Sequence, residues 1–354
     1  MTGAELASRV RRGEVLVELD LAGCDLSGCD LAGAMLESVN LRGARLDGAR
    51  LDESILTGVD LEGASLRGAS LRHLVVRAST AAGAVLAGAT ATGLRATDSS
   101  FAGGDWTGCD LTLATFSGSS LARATLRDVC LDRTVLVDCD TTELDLSGAQ
   151  LRGTTLLAAD LSRAALEGAR FEDAILERVR LDGQRLDGAS FAGSQLMGAS
   201  LVGASLAGAN LRGCNLKGAA LEGADLSDAL LERAFLFEAT LASATLARAR
   251  AVEAVLVGAD LTNANLEGAD LERAVLTNAR LVRARLVTAR LAFADLSHAD
   301  LSHADLSGAV LERTRLHRVR DEGAVFSGRA AALGDDEALA LAEDFVPPSP
   351  DSVP

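Results

Sequence analysis

The sequence predicts an all-β solenoid, one long stack of short parallel strands. Three observations predict it. First, an apolar centre returns every five residues from Leu16 to Phe326, and Leu or Phe fills 55 of these 63 positions. The exceptions are Val76, Ala81, Ala91, Ala96, Trp106, Thr141, Ala251 and Asp321. Second, the phase never slips, and an uninterrupted fixed period of this length marks a stack of units that bury their apolar sides only against one another. Period five suits neither an amphipathic helix, which needs spacings of three and four, nor a flat strand, which alternates at two. Third, the position two residues before each centre is Ala, Ser, Thr, Cys or Gly in 52 of 63 cases. One large and one small inward side chain per five residues fill a narrow interior at native density. Leu94 and Ala96 exchange these two volumes, which keeps the sum.

Stretches such as Ala224-Asp225-Leu226-Ser227-Asp228, Ala259-Asp260-Leu261-Thr262-Asn263 and Ala304-Asp305-Leu306-Ser307-Gly308 resemble the A(D/N)LXX motif of pentapeptide-repeat proteins. The resemblance extends over residues 16–326. It implies a right-handed, quadrilateral β-helix with four pentads, hence 20 residues, per coil. About 15 coils at the ~4.8 Å interstrand spacing then make a rod of ~75 Å.

The elements follow in order. Residues 1–15 form an N-terminal helical cap. Thr2 followed by Glu5 reads as a capping box, Leu6 and Val10 supply an apolar face, and Gly13 ends the helix after Arg9, Arg11 and Arg12. Such a cap covers the open edge of the first coil. Residues 16–328 form a single pentapeptide-repeat β-helix. Within it, Val76 to Trp106 is the expected weak section, thin or bent, because Ala81, Ala91 and Ala96 leave space; faster hydrogen exchange is expected there than over 196–246. Residues 329–354 form an acidic, Pro-rich tail. Asp335 to Phe345 reads as a short helix whose Leu339, Leu341 and Phe345 pack on the last coil, before the extended segment that holds Pro347, Pro348, Pro350 and Pro354.

The net charge of −16 is uneven, since residues 321–354 alone carry eight acids against Arg329. The rest is mildly acidic with mixed signs, without the basic stripe of a nucleic-acid binder. No apolar run approaches a membrane span, and the N-terminus lacks a signal-peptide core, so no membrane partner and a cytoplasmic location are expected. Five of the six cysteines (Cys24, Cys29, Cys109, Cys139 and Cys214) occupy the small inward slot and Cys130 lies beside it, which makes them core residues rather than ligands.

Catalysis needs groups that converge in a concave, partly dry place. A filled solenoid supplies none, so no catalytic, cofactor-binding or metal-binding residues are expected. Asp300 and Asp305 read as solvated outward positions. His298 and His303 stand in tandem Leu-Ser-His-Ala-Asp copies, on successive faces, and do not converge on a metal.

One face differs from the other three. Its outward positions just before each centre include Met35, Ile55, Val75, Val135, Ile175, Phe235, Val255 and Val275, eight large apolar residues among the fifteen from 35 to 315. Over the same stretch the other faces contribute only Val85, Leu230 and Val310. Positions just after the centres add Val137, Leu157, Met197, Phe237 and Val257. Strand propensity accounts for β-branched residues on such a face. A contiguous exposed apolar patch otherwise marks an interface, and Phe235 and Phe237 favour the interface.

The reading is therefore a non-catalytic protein-interaction scaffold that binds a protein partner or a second copy of itself through this face. The helical cap and Pro-ended tail are similar to pentapeptide-repeat proteins associated with bacterial secretion machinery. The alternative that the family resemblance implies is a DNA mimic that binds DNA gyrase, protecting or inhibiting it, with no direct nucleic-acid contact. Asp20, Asp60, Asp140, Asp160, Asp260 and Asp300 supply an acidic face for it, interrupted by Arg180, Arg280 and Arg320.

Overall fold

The computed structural model describes residues 2–344. Helix α1 (Gly3–Arg11) is capped by Thr2, whose hydroxyl accepts the Glu5 amide at 3.2 Å. Leu6, Ala7 and Val10 of α1 are buried on the first coil. Gly3 lies so close to Cys29 that a Cβ there would collide with the thiol. The helix stops at Gly13, and Glu14 ties it down through Arg9 and Arg12 at 2.6 and 2.8 Å.

Beyond the cap the chain is a parallel β-solenoid. Residue i pairs with residue i+20 along nearly all of the rod: Val15 with Met35, Asp20 with Asn40, Asp25 with Arg45, Asp30 with Arg50. Four pentads therefore close one coil, and the 63 centres give about 16 coils. The centres and small slots form one continuous buried core from Leu6 to Leu316. The second residue after each centre adopts a left-handed backbone, except Arg163. Glycine fills about half of these positions, and residues such as Arg233, Glu238 and Asn263 take the rest, each at a cost of about 1 kcal/mol.

Most pentads close with a turn bond, such as Cys24 N–H to Leu21 C=O at 3.1 Å, and carry intercoil bonds, such as Leu21 N–H to Asn40 C=O at 2.7 Å. One face departs from this pattern in its first half. There the chain forms eight paired strands: β1 (Val15–Val17), β2 (Met35–Glu37), β3 (Ile55–Thr57), β4 (Val75–Arg77), β5 (Arg95–Thr97), β6 (Thr115–Ser117), β7 (Val135–Val137) and β8 (Thr155–Leu156). The turn bond is absent, and after β3, β4 and β5 buried serines replace it. The amides of Val59, Ser79 and Ser99 donate to the hydroxyls of Ser79, Ser99 and Ser119, one coil on, at 3.0, 3.2 and 3.2 Å. Each hydroxyl donates in turn to the carbonyl two residues back. Beyond Leu156 this face reverts to the common turn.

Val76 to Trp106 was the expected weak section, but its intercoil bonds are all present. The missing volume is supplied by Phe101, Trp106 and Phe116, whose ring centroids lie 5.3–6.0 Å apart edge to face. The interruption lies elsewhere. Thr141 occupies a centre, and its hydroxyl rather than its amide reaches the Asp160 carbonyl, at 3.1 Å. Gln184 occupies a small slot, and its side-chain amide donates to the carbonyls of Leu161 and Ala164 at 2.7 and 2.9 Å. Those bonds displace the ladder. The Asp140–Asp160 and Ala165–Arg185 pairs that the register would place next are absent, and a cleft opens between Leu166–Glu172 and Arg185–Ser190.

The last coils contain β9 (Asp305–Leu306) paired with β10 (Val325–Phe326). A 3-10 turn (Arg329–Ala331) brings Leu333 beside Arg315. Helix α2 (Glu337–Glu343) follows, capped by Asp336. It does not pack through leucines as expected: Leu339 is 45% exposed and Leu341 75%, and Phe345 lies outside the described residues. The helix turns its charged side to the rod instead. Arg318 bonds Asp344 at 2.6 Å and the Ala340 carbonyl at 3.0 Å, while Glu343 meets His298, His317 and Arg318. No helix among the described residues is long and apolar enough to cross a membrane.

Candidate functional site

The solenoid register brings the outward apolar residues into one row. Met35, Ile55 and Val75 are successive ladder partners, as are Thr155 and Ile175, and as are Phe235, Val255 and Val275. Val135 and Val137 stand on β7. Leu157 and Met197 are exposed beside the row, and Phe237 and Val257 are half-buried one position past their centres. Arg95 and Thr115 separate the first group from Val135, and an Arg315–Asp295 pair at 3.7 Å closes the row. Val15 and Val17 on β1 extend it to the cap, an extension that the count from Met35 missed.

The row has two halves of different backbone. From Val15 to Leu156 it is extended strand, where β-branched residues are favoured for conformational reasons alone. From Ile175 to Val275 the backbone is the same turn-and-bridge conformation as the other three faces, and Gln195 and Asn215, bonded to each other at 3.1 Å, interrupt the row before it resumes as Phe235, Val255 and Val275. Phe235 is half exposed. Lys217, the single lysine of the chain, holds its ammonium 5.1 Å from the ring centre of Phe237. An aromatic patch with a cation at its edge covers this half.

The acidic positions also fall into one row. Asp20, Asn40 and Asp60 are successive partners, and Asp160, Arg180, Asp260, Arg280, Asp300 and Arg320 share the same face. Its charge is locally cancelled. Arg180 bonds Asp160 at 3.0 Å, and Arg280 lies 3.9 Å from Asp260. The carboxylates also have local work. Asp140, Asp160 and Asp300 each accept both the hydroxyl and the amide of the residue two further on, Thr142, Ser162 and Ser302. Those side-chain hydroxyls, followed by the amides, hold the three carboxyls below their ordinary value. These are turn caps repeated along the rod.

The thiols behave as core atoms. Cys109 and Cys214 are buried and donate to the Leu86 and Phe191 carbonyls at 2.8 Å, and burial pushes both up to about 12. All six cysteines are unpaired.

One cluster escaped the sequence reading. His298 sits near His317, the rings edge to face with centroids 5.4 Å apart, and Glu343 of α2 reaches both. His303 is elsewhere, against Gly323. The spacing of 19 residues between His298 and His317 was the available signal, since it places the second ring one coil later on the same face.

The family model of pentapeptide repeats matches overlapping stretches that together span residues 16–74 and 97–328. No curated protein matches the chain significantly by sequence. Among solved structures, HetL, a pentapeptide repeat protein involved in heterocyst differentiation regulation in the cyanobacterium Nostoc sp. strain PCC 7120, is 23% identical over 89% of this chain and 96% of its own, with a TM-score of 0.17. Trypsin-treated QnrB1, a plasmid-mediated fluoroquinolone resistance protein, is 20% identical over 49% of this chain and 82% of its own, with a TM-score of 0.24. A pentapeptide repeat protein of the Arabidopsis thaliana thylakoid lumen is 29% identical over 35% and 68%, with a TM-score of 0.15. The 20-residue coil, the left-handed second residue after nearly every centre and the repeat match over most of its length agree: this chain belongs to the pentapeptide-repeat family.

Proposed function

We propose that the protein is a non-catalytic interaction scaffold whose working surface is the C-terminal half of the apolar face, centred on Phe235, Phe237, Val255, Val257 and Val275. One observation carries this reading. The strands of that face end at Leu156, so strand propensity stops accounting for apolar residues there, but after Gln195 and Asn215 three consecutive coils present Phe235, Val255 and Val275 in the conformation that every other face also has. Two phenylalanines on a solvated surface need a partner to remove them from water. The partner is a protein or a second copy of the rod. An association with secretion machinery rests on the helical cap Gly3–Arg11 and on the Pro-ended tail, whose prolines lie outside the described residues. A gyrase-directed DNA mimic is the weaker reading, because Arg180 and Arg280 pair with the carboxylates such a mimic needs.

The test compares the natural chain with a Phe235→Asp, Phe237→Asp, Val257→Asp variant. All three positions point outward, so circular dichroism should be unchanged. Light scattering and capture from the source lysate should show an association that the variant loses. Acylation of Lys217 should slow when the partner is bound, since its ammonium lies over Phe237. Identical association by both chains would remove the apolar face from consideration. Inhibition of supercoiling by the natural chain and the variant alike would move the function to the acidic row.

A further inference from the structure

We propose that His298, His317 and Glu343 form a divalent transition-metal site, of the zinc class, that fastens α2 to the end of the rod. His298 Nε2 lies 3.1 Å from Glu343 Oε1, and His317 Nε2 lies 3.3 Å from Glu343 Oε2. The three ligand atoms fall within 4.8 Å of one another. Bonds of about 2.0–2.2 Å around a tetrahedral ion separate its ligand atoms by about 3.3–3.6 Å, so a small closing movement suffices. Two imidazoles with one carboxylate suit zinc and its borderline neighbours; calcium and magnesium require oxygen ligands in greater number. Three protein ligands leave the fourth tetrahedral position for water.

The surroundings fit. Asp335, Glu343 and Asp344 gather around the cluster with Arg318 as the opposing cation, 3.2 Å from Glu343. Arg280, Arg320 and Asp300 line the adjoining pocket beside His298, so ligand geometry and not net charge carries the site. His317 is almost completely buried and fixed by its other nitrogen: Nδ1 accepts the Asp336 amide at 3.1 Å, so its proton sits on Nε2 and is donated to Glu343. Metal on Nε2 displaces that proton to Nδ1, and the Asp336 amide, which then faces a donor, must turn away from it. Asp335 Oδ1, 3.7 Å from Nδ1, is placed to accept it in the carboxylate–histidine–metal arrangement that orients metal-binding imidazoles. The exchange moves a proton within the ring and needs no co-reactant. The ion joins His298 and His317, on successive coils, to a helix that otherwise exposes both its leucines.

The experiment titrates the untagged full chain with zinc chloride by calorimetry and follows hydrogen exchange of residues 335–344 with and without zinc. One ion is expected to bind per chain, and exchange of 335–344 is expected to slow. His298→Ala, an exposed position, and Glu343→Gln should each abolish stoichiometric binding and the protection, with circular dichroism unchanged. Asp335→Asn should weaken binding by roughly 10- to 100-fold, the usual effect of losing a partner behind a ligand. Cobalt in place of zinc should give the visible absorption of a four-coordinate site. Equal zinc binding by the natural chain and both ligand variants, which would place the ion on thiols, overturns the proposal. So does exchange of 335–344 that is indifferent to zinc.

Discussion

At the scale of single residues, the repeat pattern and the packing make opposite statements at Gly104. The pattern puts Ala in the small slot of most pentads, so Gly104→Ala looks like a repair towards consensus. A Cβ at Gly104 would lie 3.0 Å from the Phe101 carbonyl oxygen, 3.3 Å from that of Ala84 and 3.3 Å from Trp106 Nε1. Two of those neighbours are backbone in a paired ladder, and the third is a fully buried indole. Gly104 is thus the small half of a volume exchange that Trp106 requires. Gly104→Ala is expected to destabilise by about 1–3 kcal/mol, as overpacked cores do, measured by chemical denaturation. Adding Trp106→Leu should recover most of the loss, and a stabilised single variant would contradict the account. Ser99 teaches the same lesson: Ala fills that slot in other coils, but here the hydroxyl is the acceptor for the Ser79 amide.

At the scale of elements, the rod is least closed where the polar inward residues sit. Ala81, Ala91 and Ala96 suggest weakness by volume, but volume is recovered from adjacent coils through Phe101, Trp106 and Phe116. An inward amide cannot be compensated that way. Gln184 must place its N–H groups on carbonyls, and it takes those of Leu161 and Ala164, where the Arg185 amide would bond the second. The amides of Leu166 and Gly168 are therefore expected to exchange faster than those over 196–246 and over Val76–Trp106. Gln184→Ala frees the carbonyl and should slow their exchange about fivefold, the effect of a hydrogen bond of ~1 kcal/mol. Exchange fastest over 76–106 would restore the simpler volume argument.

At the scale of the whole molecule, the repeated Asp caps make stability depend on acid. Asp140, Asp160 and Asp300 are held below their ordinary value of 3.8 by the hydroxyls of Thr142, Ser162 and Ser302. A carboxyl depressed in the folded state stabilises that state above the unfolded value, and the contribution disappears as pH falls through the folded value. The melting temperature should accordingly change little from neutral pH to about pH 5 and decline below about pH 4. Melts followed by circular dichroism test this. A rod whose melting temperature holds to pH 2.5 would show that the caps contribute nothing. The apolar row belongs to this scale too, since a contact surface is built from residues 20 apart that only the coil brings together.

By itself the sequence determined the solenoid and its capped start, and the family resemblance implied the four-sided coil that sorts the outward residues into rows. The solenoid follows from a constraint that most pentads satisfy locally: one large side chain and one small one inside, one left-handed residue at the corner. The helix starting at Thr2 was legible for the same reason, because a cap and its first turn are neighbours in the chain. Only the tertiary structure decided where the turn type changes at Leu156, where Thr141 and Gln184 open the ladder, and how α2 docks. It also decided that His298, His317 and Glu343 meet. These depend on partners one coil or more away, whose distances no five-residue period encodes. The docking of α2 eluded a reading based on apolar periodicity because charge, not buried leucine, fixes it: Arg318 and two histidines on the last coils face carboxylates on the helix.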